Sequence, residues 1–263
     1  MYYNEVMDFT KPKIMGILNI TPDSFSDGEQ HLRIQDSVLR IQQFINDGVD
    51  IIDIGGESTG PGSIYVSAKE EFARVKPVID HITEHQMMDK VMFSIDTYKS
   101  EIAEYALEHG FGMINDVTAL RGDTKMINVL VTHQPYVVIM YAKDNTPRTT
   151  MEKVEYDDVI ATIKTFLLGR IATLVTAGFP EDRIIIDPGM GMFVSANPQY
   201  SFEIIDRLSG LKQLGYPILI GTSRKSFLGG KVNERDEKSW QLAKRALQNG
   251  ASVVRMHEVR KVD

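Results

Sequence analysis

The chain has 263 residues, of which 43% are hydrophobic and 25% charged, and it contains no cysteine. This length suits one large domain, and the lack of cysteine excludes disulfides and thiolate chemistry. The net charge of −7 is opposite in sign to that of most nucleic-acid binders. No apolar run approaches the roughly 20 residues that span a bilayer, and Met1–Phe9 does not resemble a secretory signal. We therefore expect a cytoplasmic protein with no nucleic-acid or membrane partner.

Eight short apolar runs, separated by helical patterns, each end in polar residues. The runs are Lys13–Leu18, Val49–Ile54, Val91–Ile95, Phe111–Ile114, Tyr136–Met140, Arg183–Ile186, Pro217–Ile220 and Ala251–Val254. A strand-and-helix unit repeated eight times predicts an α/β protein with a (β/α)8 TIM barrel, whose strand ends share one mouth. An open doubly wound sheet is the alternative, because its strands also point one way. The strand count favours the barrel.

Seven helices are predicted between the strands. They are Ile34–Asn46, Ala68–Glu84, Ser100–His109, Lys125–Thr132, Asp157–Ala177, Ser201–Leu214 and Glu237–Gln248. The longest predicted loops are Thr21–Arg33, Glu57–Val66 and Lys143–Val154, all of which follow strands. Only Glu258–Asp263 follow the last strand, whereas a closing helix needs about a dozen residues, so we expect the eighth helix to be missing or truncated. Residues 1–263 are expected to form a single domain.

The first two loops at the mouth are rich in polar residues and glycine. The first begins at Asn19 and carries carboxylates and hydroxyls up to Gly28, which suits either contact with phosphate or metal, or a solvated turn. The second has four glycines between Gly55 and Gly62. Glycine lets the backbone approach a ligand closely and point N–H groups at it, although loop flexibility alone also explains this composition.

Carboxylates and amides end three further strands, at Asp96, Asn115 and Asp187. Each residue could individually cap a helix. Three such side chains around one mouth could instead hold an amino-pyrimidine edge through paired hydrogen bonds, or a divalent metal ion.

Cationic residues follow the seventh and eighth strands, where barrels most often hold phosphate. Lys225 follows the seventh strand, and Arg255 and His257 end the eighth. Because alternate residues of a strand share a face, Arg255 and His257 could point to the same side and clamp an oxyanion.

Seven segments, in this order along nearly the whole chain, resemble the signature of the dihydropteroate synthase family. They are Ile14–Gly28, Asp53–Thr59, Ser94–Thr97, Asn115–Asp116, Asp187–Gly189, Ser223–Ser226 and Arg255–His257. The pterin-binding barrels of corrinoid methyltransferases are related and share parts of the pterin pocket. They do not usually combine the full first-loop signature with Ser223–Lys225.

This resemblance implies condensation of a dihydropterin pyrophosphate with para-aminobenzoate to give dihydropteroate, a step of folate biosynthesis. It assigns Asp96, Asn115, Asp187 and Lys225 to the pterin ring, with Lys225 on its carbonyl side. The pyrophosphate would be held by Asn19, Arg255 and His257, with Mg²⁺ bound near Asn19. Thr59, Pro61 and Ser226 would lie towards para-aminobenzoate. On this interpretation Asn19, Lys225, Arg255 and His257 are the catalytic residues, and a homodimer is implied.

The chain departs from the family pattern at three places. Gly60 stands where the family usually has arginine, which removes one pyrophosphate contact. Met192–Ser195 replaces the usual phenylalanine, glycine and lysine after Asp187, so the aromatic wall of the aminobenzoate site is displaced. We hypothesise that sulfonamides bind this chain poorly relative to para-aminobenzoate, which inhibition constants would test. Tyr141 follows Met140 where histidine is common.

Two other functions fit parts of the same pattern. One is a pterin-binding paralogue that has lost turnover through Gly60 and the altered 192–195 segment. The other is a methyltransferase barrel that binds reduced folate. Such a methyltransferase has no need for a pyrophosphate clamp, so Lys225, Arg255 and His257 favour the synthase.

Overall fold

The computed structural model describes residues 7–20 and 27–260, in which eight parallel strands form one sheet. The strands are β1 (Lys13–Asn19), β2 (Ile51–Gly55), β3 (Met92–Asp96), β4 (Met113–Asp116), β5 (Tyr136–Met140), β6 (Ile184–Asp187), β7 (Leu219–Ile220) and β8 (Val253–Met256). Their order is β6-β5-β4-β3-β2-β1-β8-β7. A bridge between Ile186 and Ile218 joins the two ends, and the Ile186 amide donates to the Pro217 carbonyl at 2.9 Å. The predicted barrel is therefore confirmed, and the open-sheet alternative is wrong.

Helices cover the outside of the barrel. They are α1 (Asp27–Asn46), α2 (Ala68–Glu84), α3 (Ser100–Glu108), α4 (Met126–His133), α5 (Val159–Thr176), α6 (Pro198–Asp206), α7 (Leu208–Lys212) and α8 (Asp236–Gln248). No helix follows β8 in residues 257–260, the last part of the chain that the structure describes. Residues 7–20 and 27–260 contain eight α-helices, because β6 and β7 are joined by two.

Two helix predictions were wrong in their bounds. The first helix begins at Asp27 rather than Ile34, so the second half of the predicted first loop is helical. The prediction relied on apolar periodicity, which the polar turn at 27–31 lacks. The predicted helix Ser201–Leu214 is divided at Arg207 and starts earlier, where the Asn197 side chain accepts a hydrogen bond from the Gln199 amide at 3.2 Å.

Helix α5 is long and apolar enough, by length and composition alone, to cross a membrane, with a mean hydropathy of 1.6 over 18 residues. The sequence-based statement that no apolar run approaches that length was therefore too strong. Ile163, Leu167, Ile171 and Leu174 of this helix are buried in the layer between helices and sheet. A core helix of a barrel has the same apolar composition, so this feature does not indicate a membrane protein.

The inside of the barrel has its own apolar cluster, separate from the larger core beneath the helices. It consists of Met15, Ile51, Met92, Met113, Tyr136, Val138, Ile185, Leu219 and Val253. Met7 and Phe9 pack against this cluster, and the Phe9 ring meets the Tyr136 ring edge-on at 5.6 Å. The amino-terminal end of the barrel is therefore closed by apolar contacts, which leaves the opposite end to carry polar groups.

Candidate active site

Strand periodicity places polar side chains directly above the apolar floor of the barrel. Alternate residues of a strand share a face, so the residue two positions after each floor residue also points inward. For Ile51, Met113, Ile185 and Val253 these residues are Asp53, Asn115, Asp187 and Arg255. Register pairs Asp53 with Ser94 and Asp96 with Asn115. The inner face of the barrel therefore changes from apolar to polar or charged within two residues along these strands.

A small cavity opens at this end of the barrel. It is lined by Thr59, Asp96, Asn115, Val117, Met140, Asp187, Met190, Phe193, Gly221, Lys225 and Arg255. Six of the ten predicted site residues are among them, because they lie at or after the carboxyl ends of six different parallel strands, which converge. Asn19, Pro61, Ser226 and His257 do not line it.

Arg255 is the centre of a charged network in this cavity. Its Nε donates to Oδ2 of Asp53 at 2.7 Å, and its Nη2 donates to Oδ2 of Asp96 at 2.6 Å. Asn115 donates from Nδ2 to the same Asp53 oxygen at 2.9 Å. Asp53 is completely buried. Its Oδ1 has no hydrogen-bond partner among the described residues, so one oxygen of this carboxylate accepts every bond it makes.

Burial changes the acidity of the cavity's ionisable groups. It raises the pKa of Asp96 to about 7, although the Arg255 guanidinium opposes this effect. It raises the pKa of Asp187 to about 6, against the hydrogen bond from the Gly189 amide at 2.7 Å and the charge of Lys225. Burial lowers the pKa of Lys225 to about 8, which the Asp187 carboxylate partly offsets. Three groups therefore titrate near neutral pH, as is common in functional sites.

His257 lies beside the cavity and is neutral at pH 7. Burial and the cations of Arg255, Arg224 and Lys225 lower its pKa to about 4. Its Nδ1 is 2.8 Å from the Ser223 hydroxyl, which also accepts from the His257 amide at 3.0 Å. If the hydroxyl donates to Nδ1, the ring proton lies on Nε2 and can be donated to an anion. With that tautomer the predicted clamp keeps both of its donors, and Arg255 supplies its permanent positive charge.

The other predicted residues surround the mouth. Asn19 is exposed at the end of β1, next to Gly55 of β2 in the register. Pro61 is exposed in the loop after β2, and Ser226 is exposed at the start of the single turn Ser226–Leu228. Predicted contacts of residues 21–26 of the first loop lie outside the described residues.

A buried ionic cluster supports the loop after β2. Lys99 Nζ bonds Glu57 Oε2 at 2.5 Å and also contacts Glu71. Arg148 pairs with the same Glu57 carboxylate, which also accepts from the Val66 amide at 3.2 Å. Since Glu57 begins this loop and Val66 ends it, the cluster fixes both ends of the segment that carries Thr59.

The described residues contain no group of three or more His, Asp or Glu side chains placed to hold a metal ion. Mg²⁺ does not require one, because it is often held by one or two protein oxygens, with substrate phosphates and water completing the octahedron. The carboxamide of Asn19 supplies an oxygen of that kind at the edge of the mouth.

The family model described as pterin binding enzyme matches residues 15–257. The chain belongs to this pterin-binding family. The dihydropteroate synthase of Streptococcus pyogenes is 42% identical over 253 residues, 94% of this chain and 90% of the relative.

Solved structures of the family have the same fold. The Xanthomonas albilineans dihydropteroate synthase with 4-aminobenzoic acid has a TM-score of 0.85 and 36% identity, covering 95% of this chain and 89% of that one. The Yersinia pestis dihydropteroate synthase in a sulfonamide drug complex has a TM-score of 0.89 and 31% identity, covering 99% and 94%. The two structures carry ligands of the aminobenzoate and sulfonamide type.

The structure shows what surrounds two of the departures from the family pattern. A side chain at Gly60 would meet only the Ser58 hydroxyl, 3.7 Å from the Cβ position, so glycine is not required there by packing. The Tyr141 hydroxyl lies 3.0 Å from that of Tyr156, which donates to the Val194 carbonyl at 2.6 Å. This tyrosine pair therefore supports the turn after β6.

Three features of the site were missed by sequence reasoning. Asp53 was treated as part of a strand, although a single acid inside an apolar run is a signal of a buried ionic partner. Ser223 lies in a recognised motif, but its bond to His257 depends on the distance between β7 and β8. Arg148 is an isolated basic residue in a loop, and no local pattern indicates its pairing with Glu57.

Proposed function

We propose that the chain condenses 6-hydroxymethyl-7,8-dihydropterin pyrophosphate with para-aminobenzoate to form 7,8-dihydropteroate and pyrophosphate, as the dihydropteroate synthases it resembles do. The observation that carries the proposal is the cavity in which Asp96, Asn115, Asp187 and Lys225 meet Arg255. Carboxylates and an amide there match the donors of an amino-pyrimidine edge, and the cations match its carbonyl and an anionic leaving group.

The pterin ring would be held mainly by Asp187, Asn115 and Lys225. At neutral pH the Asp187 carboxyl, with a pKa of about 6, is largely ionised and can accept from the ring's N–H groups. Lys225, with a pKa of about 8, is largely protonated and can donate to the ring's carbonyl oxygen. The Lys225 ammonium also lies 5.4 Å from the Phe193 ring centroid, which places an aromatic wall beside this end of the cavity.

The reaction forms one C–N bond and breaks one C–O bond at the pterin's methylene carbon. Departure of pyrophosphate leaves positive charge on this carbon, which the electron-rich ring delocalises. The amine of para-aminobenzoate supplies the electron pair and then loses a proton. No base in the protein is needed to activate it, because an aniline nitrogen is unprotonated at neutral pH. Arg255 and the Nε2 proton of His257 would stabilise the departing anion.

Mg²⁺ remains a proposal, with Asn19 as the residue that would hold it together with pyrophosphate oxygens. When bound, the ion would neutralise part of the leaving group's charge. Thr59, Pro61 and Ser226 are proposed contacts of para-aminobenzoate, and of these only Thr59 lines the cavity. A homodimer and a cytoplasmic location remain predictions from the resemblance and the sequence.

The test measures pyrophosphate release from the pterin pyrophosphate, with and without para-aminobenzoate. Release that depends on the amine and yields dihydropteroate supports the synthase. Binding of the pterin pyrophosphate without release would overturn it in favour of an inactive paralogue. Binding of reduced folate with no affinity for pyrophosphate would favour the methyltransferase. Asp187→Asn is the control, since its loss of pterin contacts should suppress release in parallel with binding.

A further inference from the structure

The loop after β5, residues 143–154, crosses between two walls of the cavity and bonds both of them. The Thr149 amide donates to the Thr59 carbonyl at 3.2 Å, and the Thr149 hydroxyl donates to the Met192 carbonyl at 2.7 Å. Thr59 belongs to the loop after β2, and Met192 to the turn Gly191–Phe193 after β6. Thr149 is only 4% exposed. One buried residue therefore connects loops that start on strands at different positions around the barrel.

The hydroxyl proton of Thr149 can go to only one acceptor at a time. Asp144 Oδ2, at 2.9 Å, and the Thr150 carbonyl, at 3.4 Å, are the alternative acceptors. That carboxylate already receives bonds from Lys143 Nζ at 2.5 Å and from the Thr150 amide at 3.0 Å. Because the Met192 carbonyl is closer to Thr149 and Asp144 Oδ2 already accepts two hydrogen bonds, we assign the proton to the bond that joins the loop to the turn after β6.

Both connected walls face the cavity at the same end. Thr59 and Phe193, the neighbour of Met192, line it, and the Lys143 amide donates to the Phe193 carbonyl at 2.8 Å. Thr149 itself does not line it. The acids and amide proposed for the pterin ring lie on β3, β4 and β6 and receive no hydrogen bond from Thr149.

We propose that Thr149 is a positioning residue that sets the distance between Thr59 and Phe193, and with it the fit of the aminobenzoate half of the ligand. This inference rests on the proposed function and deepens it. Its consequence is a split effect: removing the Thr149 hydroxyl weakens binding of the aminobenzoate half and leaves binding of the pterin half unchanged.

The test compares two dissociation constants by calorimetric titration, one for dihydropteroate and one for 6-hydroxymethyl-7,8-dihydropterin. Thr149→Val keeps the side-chain shape and the amide bond to Thr59 but removes the hydroxyl. Loss of one buried hydrogen bond should raise the dihydropteroate constant about fivefold to tenfold, with the pterin constant unchanged. In turnover, KM for para-aminobenzoate should rise by a similar factor. Thr149→Ser should restore both values.

Thr150→Val is the matched control. The Thr150 hydroxyl bonds Asp144 Oδ1 at 2.9 Å and Lys143 Nζ at 2.9 Å within the same loop. Its loss should therefore alter loop stability without changing the ratio of the two dissociation constants. An equal change of that ratio in Thr150→Val, or none in Thr149→Val, would overturn the positioning role.

Failure of the proposed function gives a different result. A wild-type chain that binds both ligands but releases no pyrophosphate would refute the synthase, while the ratio would still test Thr149. A wild-type chain that binds neither ligand would refute both proposals.

Discussion

Arg255, at the end of β8, and Asp53, in β2, form an ion pair of 2.7 Å across the inside of the barrel. Strand β1 lies between them in the sheet, so the pair spans the barrel's interior rather than adjacent strands. Asp53 is fully buried, and Arg255 also bonds Asp96. The guanidinium is therefore held in one orientation by two carboxylates before any ligand binds.

Asp53→Asn should show how much this orientation of Arg255 contributes to stability and to turnover. The change keeps the shape but removes the charged acceptor of both Arg255 and Asn115. We expect the free energy of unfolding to fall by about 1–3 kcal/mol, with kcat reduced less than in Arg255→Ala, where about 10- to 1000-fold is expected. Urea unfolding and steady-state kinetics measure the two effects.

Lys153→Ala is the control for that stability change. It breaks the exposed pair between Lys153 and Glu155, and such pairs contribute little. A loss of stability in Lys153→Ala as large as in Asp53→Asn would contradict the importance of the buried pair.

Asp187→Asn separates ligand recognition from folding. In the wild type the Gly189 amide donates to Asp187 Oδ1 at 2.7 Å. The asparagine oxygen can still accept this hydrogen bond, but the negative charge facing the pterin is lost. We expect the dissociation constant of 6-hydroxymethyl-7,8-dihydropterin to rise about 10- to 100-fold, as measured by calorimetry. Asp116→Asn is the comparison, because Asp116 bonds the Thr118 and Leu120 amides outside the cavity. Equal losses of affinity in both variants would argue against a direct contact by Asp187.

The pH dependence of kcat/KM for the pterin substrate should be bell-shaped, with its maximum between the pKa values of Asp187 and Lys225, about 6 and about 8. Below the pKa of Asp187, about 6, its carboxylate is protonated and can no longer accept from the ring, so the rate falls as pH falls. Above the pKa of Lys225, about 8, its ammonium is lost, so the rate falls as pH rises. Lys225→Arg keeps its charge at high pH and should remove only the alkaline limb. An unchanged alkaline limb in that variant would assign it to another group.

Gly189→Ala should destabilise the barrel next to the site. Gly189 has φ +70°, and a Cβ there would lie 2.3 Å from the Tyr141 carbonyl oxygen. Gly178→Ala is the matched control, with φ +91° and no atom within 4 Å of its Cβ position. The left-handed backbone costs about 1–2 kcal/mol in either variant, and forcing the two chain segments apart at Gly189 adds about 1–3 kcal/mol. An equal decrease in Tm in the two variants, measured by thermal unfolding, would show that the close approach of Gly189 to Tyr141 does not matter.

The sequence predicted the barrel because eight apolar runs with polar ends need only local periodicity to be recognised. Six of the eleven residues that line the cavity were among the predicted site residues. Five of them were indicated by polar residues at strand ends, which converge in a parallel barrel, and Thr59 was implied by the family resemblance. Asp53 was missed for a physical reason: local pattern cannot show that an inward acid in β2 meets an arginine 202 residues later. The neutrality of His257 likewise depends on burial and on nearby cations, of which Arg224 and Lys225 come from the distant segment after β7.

Local sequence pattern also failed to give the bounds of two helices. The start of α1 at Asp27 is not marked by apolar spacing, and the division at Arg207 falls inside a stretch whose apolar residues keep helical spacing.

Strand β7 has two residues and pairs with β6 through one bridge. The barrel is therefore closed between these two strands by few backbone contacts. Asp187 ends β6, and Lys225 follows β7 by five residues. A pterin bound by both residues would connect β6 to the segment after β7. Local opening of the barrel between β6 and β7, measured by deuterium exchange at the Ile186 amide, should then slow when ligand binds. Substrate binding and barrel closure would therefore stabilise each other.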